Sequence, residues 1–423
     1  MESNGKLSDI VDFILKHIEK LPKPLREPLK KELLIMKEML IDSRPPKLIF
    51  IGRRGSGKSS LINAIFGEHV ADIGSVESKT AIGKWYAYRS KNNKNSEIEV
   101  LDTRGLGDNT IPDGANFSNT LDSIKYEIDR KCPDIIIFLC RAKDVDSYIS
   151  EDANNILEIQ KYIDTKYKYK CPLISLATQV DELDPASIIE PPFANEKKQQ
   201  NIRKAIEVLE KALFDKNIQT IKTFPVCAYL EFDNDNISIS YDRRWNIDLL
   251  NEYLLEALPE SAQLELARIS KIKSVQNKLA DKVIGVTVSF CSIIGVTPIP
   301  FSDLPIITAA QISMIIAIGY IGGRDLDKKG AREFLAAIGV NVGAAFAIRE
   351  GARALIKVVF PGSGDVIAGA IAGAATLALG NAAKAYFIEG KSIEKLDIPK
   401  DDSKIKTHKL ANFIKKLISI HVN

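Results

Sequence analysis

The segment Gly52-Arg53-Arg54-Gly55-Ser56-Gly57-Lys58-Ser59 fits the spacing G-x-x-x-x-G-K-[ST] without a gap. That spacing wraps a phosphate group. Glycines tolerate positive φ and present no Cβ to the ligand. Backbone N–H groups along Arg54, Gly55, Ser56, Gly57, Lys58, Ser59 and Ser60 then face the anion, backed by a helix N-terminus. Lys58 reaches the β- and γ-phosphates, and the Ser59 hydroxyl binds Mg²⁺. Arg53 and Arg54 add two cations inside the loop, placed to stabilise charge on a phosphate in transfer. The loop alone indicates a nucleoside triphosphate and leaves the base open.

Further positions narrow the base. Val100-Leu101-Asp102-Thr103-Arg104-Gly105 carries D-x-x-G, in which Asp102 holds the Mg²⁺ shell through water and the Gly105 N–H senses the γ-phosphate. Thr80 stands where a switch threonine would close over Mg²⁺ and γ-phosphate, with Ser75 and Ser78 as rivals. In Thr178-Gln179-Val180-Asp181, the Asp181 carboxylate can accept both N1–H and N2–H of guanine; adenine offers no such donor pair. In Pro225-Val226-Cys227-Ala228, a backbone N–H from Cys227 or Ala228 can meet the guanine O6. Their order along the chain carries more weight than any one of them.

These residues need strand ends and helix starts to position them. Strand signals fall at 47–51, 84–89, 97–102, 134–140, 172–177 and 222–227, and helical signals between them at 58–66, 118–130, 151–164, 197–214 and 246–257. That alternation predicts an α/β sheet, mostly parallel and six-stranded, with helices on both faces. Ligands of such sheets sit at the carboxyl ends of the strands. Two amphipathic helices, Leu7 to Leu21 and Leu25 to Ile41, precede it. After residue 282 the chain turns to uncharged Ala-, Gly-, Ile- and Val-rich stretches, with Gly319/Gly323, Gly339/Gly343 and Gly369/Gly373 spaced for close helix approach. The expected domains are a helical hairpin (1–44), an α/β domain (45–260), an all-α region (261–390) and a Lys-rich tail with an amphipathic helix (391–423). The N-terminal and C-terminal helices together would build the all-α domain.

Composition sets outer bounds. A chain of 423 residues exceeds one ordinary core. With 45% hydrophobic and 27% charged residues it is globular rather than disordered. The net charge of +3 gives no electrostatic case for nucleic acid, and none is expected as a partner. Five scattered cysteines and four histidines offer neither a disulfide framework nor a zinc site, which fits a reducing cytosol. The N-terminus shows no signal-peptide apolar core, and the ends carry no lipidation box.

Residues 47–260 resemble a Ras-like GTPase domain of the Era-like, translation-factor-related class, through Gly-Ser-Gly-Lys-Ser-Ser-Leu-Ile-Asn-Ala-Ile-Phe-Gly at 55–67. The domain is also similar to immunity-related GTPases. The resemblance implies GTP binding and hydrolysis with Mg²⁺. Two departures stand out. Thr178 and Gln179 replace the first two residues of the usual Asn-Lys-x-Asp motif, so guanine choice rests mainly on Asp181, and Gln179 brings no charge. Leu106 stands after Gly105, where Ras-type proteins carry the water-orienting glutamine; slow intrinsic hydrolysis is expected. Gly55 fills the slot from which an asparagine holds potassium in some relatives, which leaves Arg53 and Arg54 as catalytic candidates.

Residues 275–390 resemble the C-terminal helical domain of unknown function found in bacterial YcjF-type membrane proteins and certain bacterial GTPases, through Thr297-Pro298-Ile299-Pro300-Phe301-Ser302-Asp303-Leu304-Pro305 and Pro361-Gly362-Ser363-Gly364-Asp365. Two uncharged stretches, 283–302 and 304–323, reach spanning length, but Pro298 and Pro300 break the first and Gln311 lies in the second. A soluble bundle and a membrane-inserting hairpin both stay open. Leu410, Phe413, Ile414, Leu417 and Ile418 share one helix face, suited to the protein's own core or to a bilayer surface. The leading expectation is a slow GTP switch at the cytoplasmic face of an inner membrane, with membrane lipid or a membrane protein as partner. The alternatives are a G-domain homodimer that remodels bilayers and a nucleotide-gated scaffold with little turnover.

Overall fold

The computed structural model describes residues 11–392 except 13, 17, 20–22, 72–83, 91–96, 104–119, 148, 234–237, 297–302, 325–329 and 335–363. The chain divides into two compact units, Arg44–Ile272 and the remainder on either side of it, Met1–Ser43 with Lys273–Asn423.

The central unit is built on six strands: β1 (Lys47–Ile51), β2 (Lys84–Arg89), β3 (Glu97–Asp102), β4 (Ile135–Arg141), β5 (Leu173–Thr178) and β6 (Lys222–Pro225). Their order in the sheet is β2-β3-β1-β4-β5-β6, with only β2 antiparallel to its neighbour. Strands β4 and β5 are buried along nearly their whole length, not at alternate residues, so both faces of the sheet are covered. This is a Ras-like GTPase fold. One face packs under Ile124 and Ile128 of α3 (Thr120–Arg130), Ile156 and Ile159 of α4 (Ile149–Tyr167), and Ile202 and Leu209 of α5 (Glu196–Asp215). On the other, α2 (Lys58–Phe66) packs with α6 (Ile247–Ala257) and α7 (Glu260–Ser270).

Strand and helix positions agree with the sequence expectation to within a few residues. Strand β6 stops at Pro225, two residues early, because the Cys227 N–H leaves the ladder to bond the Trp245 carbonyl (3.2 Å). The sequence reading missed a hairpin, β7 (Leu230–Phe232) with β8 (Ile239–Asp242). Strands of three and four residues are too short for a period-2 signal to stand out. The compact central unit runs on to Ile272 and includes α7.

In the helical unit, α1 (Lys23–Leu40) precedes the central unit in sequence, and α8 (Lys273–Val296), α9 (Asp303–Ile321) and α10 (Gly364–Phe387) follow it. Helix α8 packs on α1, α9 and α10. At Gly369 an added Cβ would lie 2.7 Å from the Ser292 carbonyl oxygen, so the backbones of α10 and α8 meet there with no room for a side chain. Gly323 has open space where its Cβ would be, while at Gly322 that position lies 2.6 Å from the Phe387 carbonyl oxygen. Gly339, Gly343 and the amphipathic helix of 410–418 lie outside the described residues.

Candidate functional site

The phosphate loop leaves β1 at Ile51 and enters α2 at Lys58. Three glycines are required by its path. A Cβ on Gly52 would lie 2.6 Å from the Leu139 carbonyl oxygen, and Gly55 and Gly57 adopt φ of 78° and 91°. The Lys58 ammonium donates to the carbonyls of Gly52 (2.5 Å) and Arg53 (3.1 Å), curling across the loop it is to serve. The first turn of α2 carries no acidic residue, and Ser59 and Ser60 are half-buried there. An anion at this helix start meets partial positive charge with no competing carboxylate.

The base loop follows β5 and is tied to the phosphate loop. Thr178 is buried; its hydroxyl lies 2.9 Å from the Ser56 carbonyl and 3.3 Å from that of Cys140. Gln179 takes φ of 56° and donates from Nε2 to the Gly55 carbonyl (2.7 Å). Through these two bonds Thr178 and Gln179, both assigned from sequence to nucleotide binding, also support the phosphate loop.

Asp181 occupies a single 3₁₀ turn, Val180–Glu182, and is largely buried. Lys198 of α5, with no exposed surface, donates its ammonium to the Asp181 carbonyl (2.6 Å) and to the Leu183 carbonyl. Burial holds the Lys198 ammonium below its ordinary pKa, with the Asp181 charge acting in the other direction. Arg243 comes within 3.5 Å of the Asp181 carboxylate. The expected O6 donor at Cys227 is corrected: its N–H is taken by Trp245. Burial, and then the Asp181 charge, push the Cys227 thiol up to about 12, so it stays protonated beside the carboxylate.

Asp102 ends β3, buried, and pairs in register with Phe50 of β1; Thr103 donates to the Phe50 carbonyl (2.7 Å). The hydroxyl of Ser59 and the carboxylate of Asp102 are hard oxygen donors of the kind Mg²⁺ takes. No cluster of three or more His, Cys, Asp or Glu suited to a metal occurs among the described residues. Thr80, Gly105, Ser75, Ser78 and Leu106 lie outside the described residues.

Arg53 is the largest correction. Its Nε lies 3.2 Å from both oxygens of Asp152, and its Nη2 donates to Glu151 (2.6 Å), so the guanidinium is committed to the first turn of α4. Asp152 is buried, and burial raises its pKa while Arg53 pulls it down. Arg53 therefore braces the phosphate loop. Arg54 stands exposed beside it. No motif flags Glu151, Asp152, Lys198 or Arg243. Their contacts to Arg53 and Asp181 span 17 or more residues of sequence (Lys198 to Asp181 the shortest), a distance at which spacing carries no signal.

Residues 47–178 match the family described as 50S ribosome-binding GTPase, and residues 260–413 match a domain of unknown function (DUF697). No curated protein matches the chain. Among solved structures, the chain is similar to Toc33 from Arabidopsis thaliana in complex with Mg²⁺ and GMPPNP, at 16% identity, over 55% of this chain and 92% of that one, with a TM-score of 0.33. Similarity extends to Era in complex with MgGDPNP and a segment of 16S ribosomal RNA, at 17% identity over 59% and 68%, TM-score 0.32. An SsGBP variant matches at 15% identity over 56% of this chain, TM-score 0.30, and the chain spans 65% of its length. With scores this low, the assignment rests on the family match. The chain carries a GTP-binding GTPase domain followed by a domain of the DUF697 kind.

Proposed function

We propose that the chain is a nucleotide switch: the GTPase domain binds Mg²⁺–GTP, hydrolyses it slowly, and conveys the presence of γ-phosphate to the helical unit. One observation carries this reading. Thr178 and Gln179 bind the base loop to the phosphate loop, so phosphate and base recognition sit on one rigid body. Lys58 and the N–H groups of the loop hold the phosphates, Ser59 and Asp102 the Mg²⁺ shell, and Asp181 with the Ala228 N–H the guanine edge. Thr80 and Gly105 complete the γ-phosphate contacts. Leu106 supplies no hydrogen bond to water, so turnover is low. Arg54 is the loop arginine we assign to charge on the transferring phosphate, because Arg53 serves α4.

The route outward starts at Glu68, just past α2. Ser90, at the exit of β2, donates to its carboxylate (2.9 Å), and Lys271 pairs with it. Lys271 stands two residues before α8 begins. A shift of β2 on loss of γ-phosphate would reach the root of the helical unit through this one carboxylate. Hydrogen exchange of α8 and α10, compared with a GTP analogue and with GDP, tests the coupling. Protection that changes with nucleotide in the wild type and not in Lys58→Ala supports it; identical protection in both states refutes it.

A membrane location is a second reading, and α8 motivates it. Lys273–Val296 is long and apolar enough to cross a membrane, with a mean hydropathy of 1.7, though more than half of that window is buried against protein. We place the protein in the cytoplasm, with the helical unit at the inner membrane's cytoplasmic face and lipid or a membrane protein as partner. Liposome flotation with GTP, GDP and no nucleotide tests it; absence from the lipid fraction in every state removes the reading. Turnover that rises with protein concentration would favour a G-domain homodimer over a scaffold.

A further inference from the structure

The base loop carries an uncharged Gln179 two residues before Asp181, and the fold brings a cation to it from the end of the hairpin β7–β8. Arg243 follows β8 directly. Its guanidinium lies 4.6 Å from the Tyr229 ring centre and 5.1 Å from that of Tyr241, in the corner of two rings set edge to face. Its Nη2 lies 3.3 Å from the Tyr241 hydroxyl, which in turn donates to Glu190. Its own N–H bonds the Tyr229 carbonyl (3.1 Å). The side chain is only 11% exposed, and Nη1 meets the Asp181 carboxylate at 3.5 Å. A guanidinium held this rigidly has few other conformations to sample, so its positive charge stands at a fixed point beside the buried Asp181 carboxylate.

We infer that Arg243 is the positioning residue that orients Asp181 for two-point recognition of guanine, so that the hairpin β7–β8 belongs to the specificity machinery. The inference rests on Asp181 being the guanine-binding carboxylate. Lys198 holds the backbone of Asp181 from below, while Arg243 sets the direction of its side chain. Of the two, only Arg243 touches the carboxylate that must meet N1–H and N2–H together.

Inosine diphosphate keeps N1–H and lacks the 2-amino group, so the ratio of GDP to IDP affinity reads the second hydrogen bond alone. Both ligands report only on folded protein, so partial unfolding cancels in the ratio. Wild type, Arg243→Gln, Arg243→Lys and Asp181→Ala are titrated with each nucleotide. A misdirected carboxylate loses the N2–H bond first, and the ratio in Arg243→Gln should fall about tenfold. Arg243→Lys should restore part of it. Equal weakening of GDP and IDP in Arg243→Gln would show a role in folding alone and overturn the inference, as would no change in either. If Asp181→Ala kept the wild-type ratio, the base assignment itself would fall, and the inference with it.

Discussion

Replacing Arg53 with alanine should destabilise the central unit in a pH-dependent way. The substitution strands Asp152, a buried carboxylate whose Arg53 contacts run at 3.2 Å to each oxygen. Breaking a fully buried pair costs about 3–5 kcal/mol. Here the arginine side chain keeps 27% exposure and Glu151 keeps 61%, so solvent screens part of the interaction. A loss of about 1–2 kcal/mol at pH 7.5 is expected, or about 3–6 °C in Tm for a unit of this size. The sign with pH follows from Asp152. Its folded pKa already lies above the ordinary carboxylate value, because burial outweighs Arg53. Stability from such a group is fully present below the unfolded pKa and is lost as pH rises through the folded one. Without Arg53 the folded pKa moves higher still, so the added loss is small near pH 4 and complete at neutral pH. Thermal melts of wild type, Arg53→Ala, Asp152→Asn and the double variant at pH 4.5 and 7.5 would read this. The double variant should recover most of the loss at pH 7.5. A loss equal at both pH values, or strictly additive in the double variant, would refute the bracing role of Arg53.

Other expectations follow from single contacts. Thr178→Val keeps shape but leaves the Ser56 carbonyl without its donor, which should cost about 1–3 kcal/mol in chemical denaturation and weaken GDP binding by calorimetry. In the helical unit, Gly369→Ala forces the backbones of α8 and α10 apart and should cost about 1–3 kcal/mol, while Gly285→Ala, on an exposed mid-helix position with open space at its Cβ, should stabilise by about 0.5–1 kcal/mol. Paired melts of the two variants check both signs, and matching shifts would undo the packing argument.

Much of the GTPase fold can be read from the chain because each of its signals is local. Apolar runs such as Leu48-Ile49-Phe50-Ile51 between turn formers mark buried strands, and Gly55 and Gly57 mark turns only glycine follows easily. The hairpin β7–β8 escaped because its strands, of three and four residues, are too short for their alternation to stand out. Residues proposed to touch the ligand sit in motifs, and most of those that support them do not. Arg243, Lys198 and Asp152 reach their partners through the folded chain, and Thr178 and Gln179 proved to serve the phosphate loop although they lie inside a base motif. In the helical unit the sequence marked small residues correctly as sites of close approach at Gly369. It could not tell Gly322 from its neighbour Gly323, because which face of a helix meets a partner depends on packing.

The central claim is that the phosphate loop and Asp181 form one guanine-selective site. Displacement of a fluorescent GDP by unlabelled GDP, ADP and XDP, with Mg²⁺, on wild type and Asp181→Asn tests it most directly. GDP should displace the probe from wild type, with ADP and XDP ineffective even in large excess. In Asp181→Asn, tested with labelled XDP, the order should reverse in favour of XDP. Equal displacement by ADP in the wild type, or unchanged GDP preference in Asp181→Asn, would contradict the account.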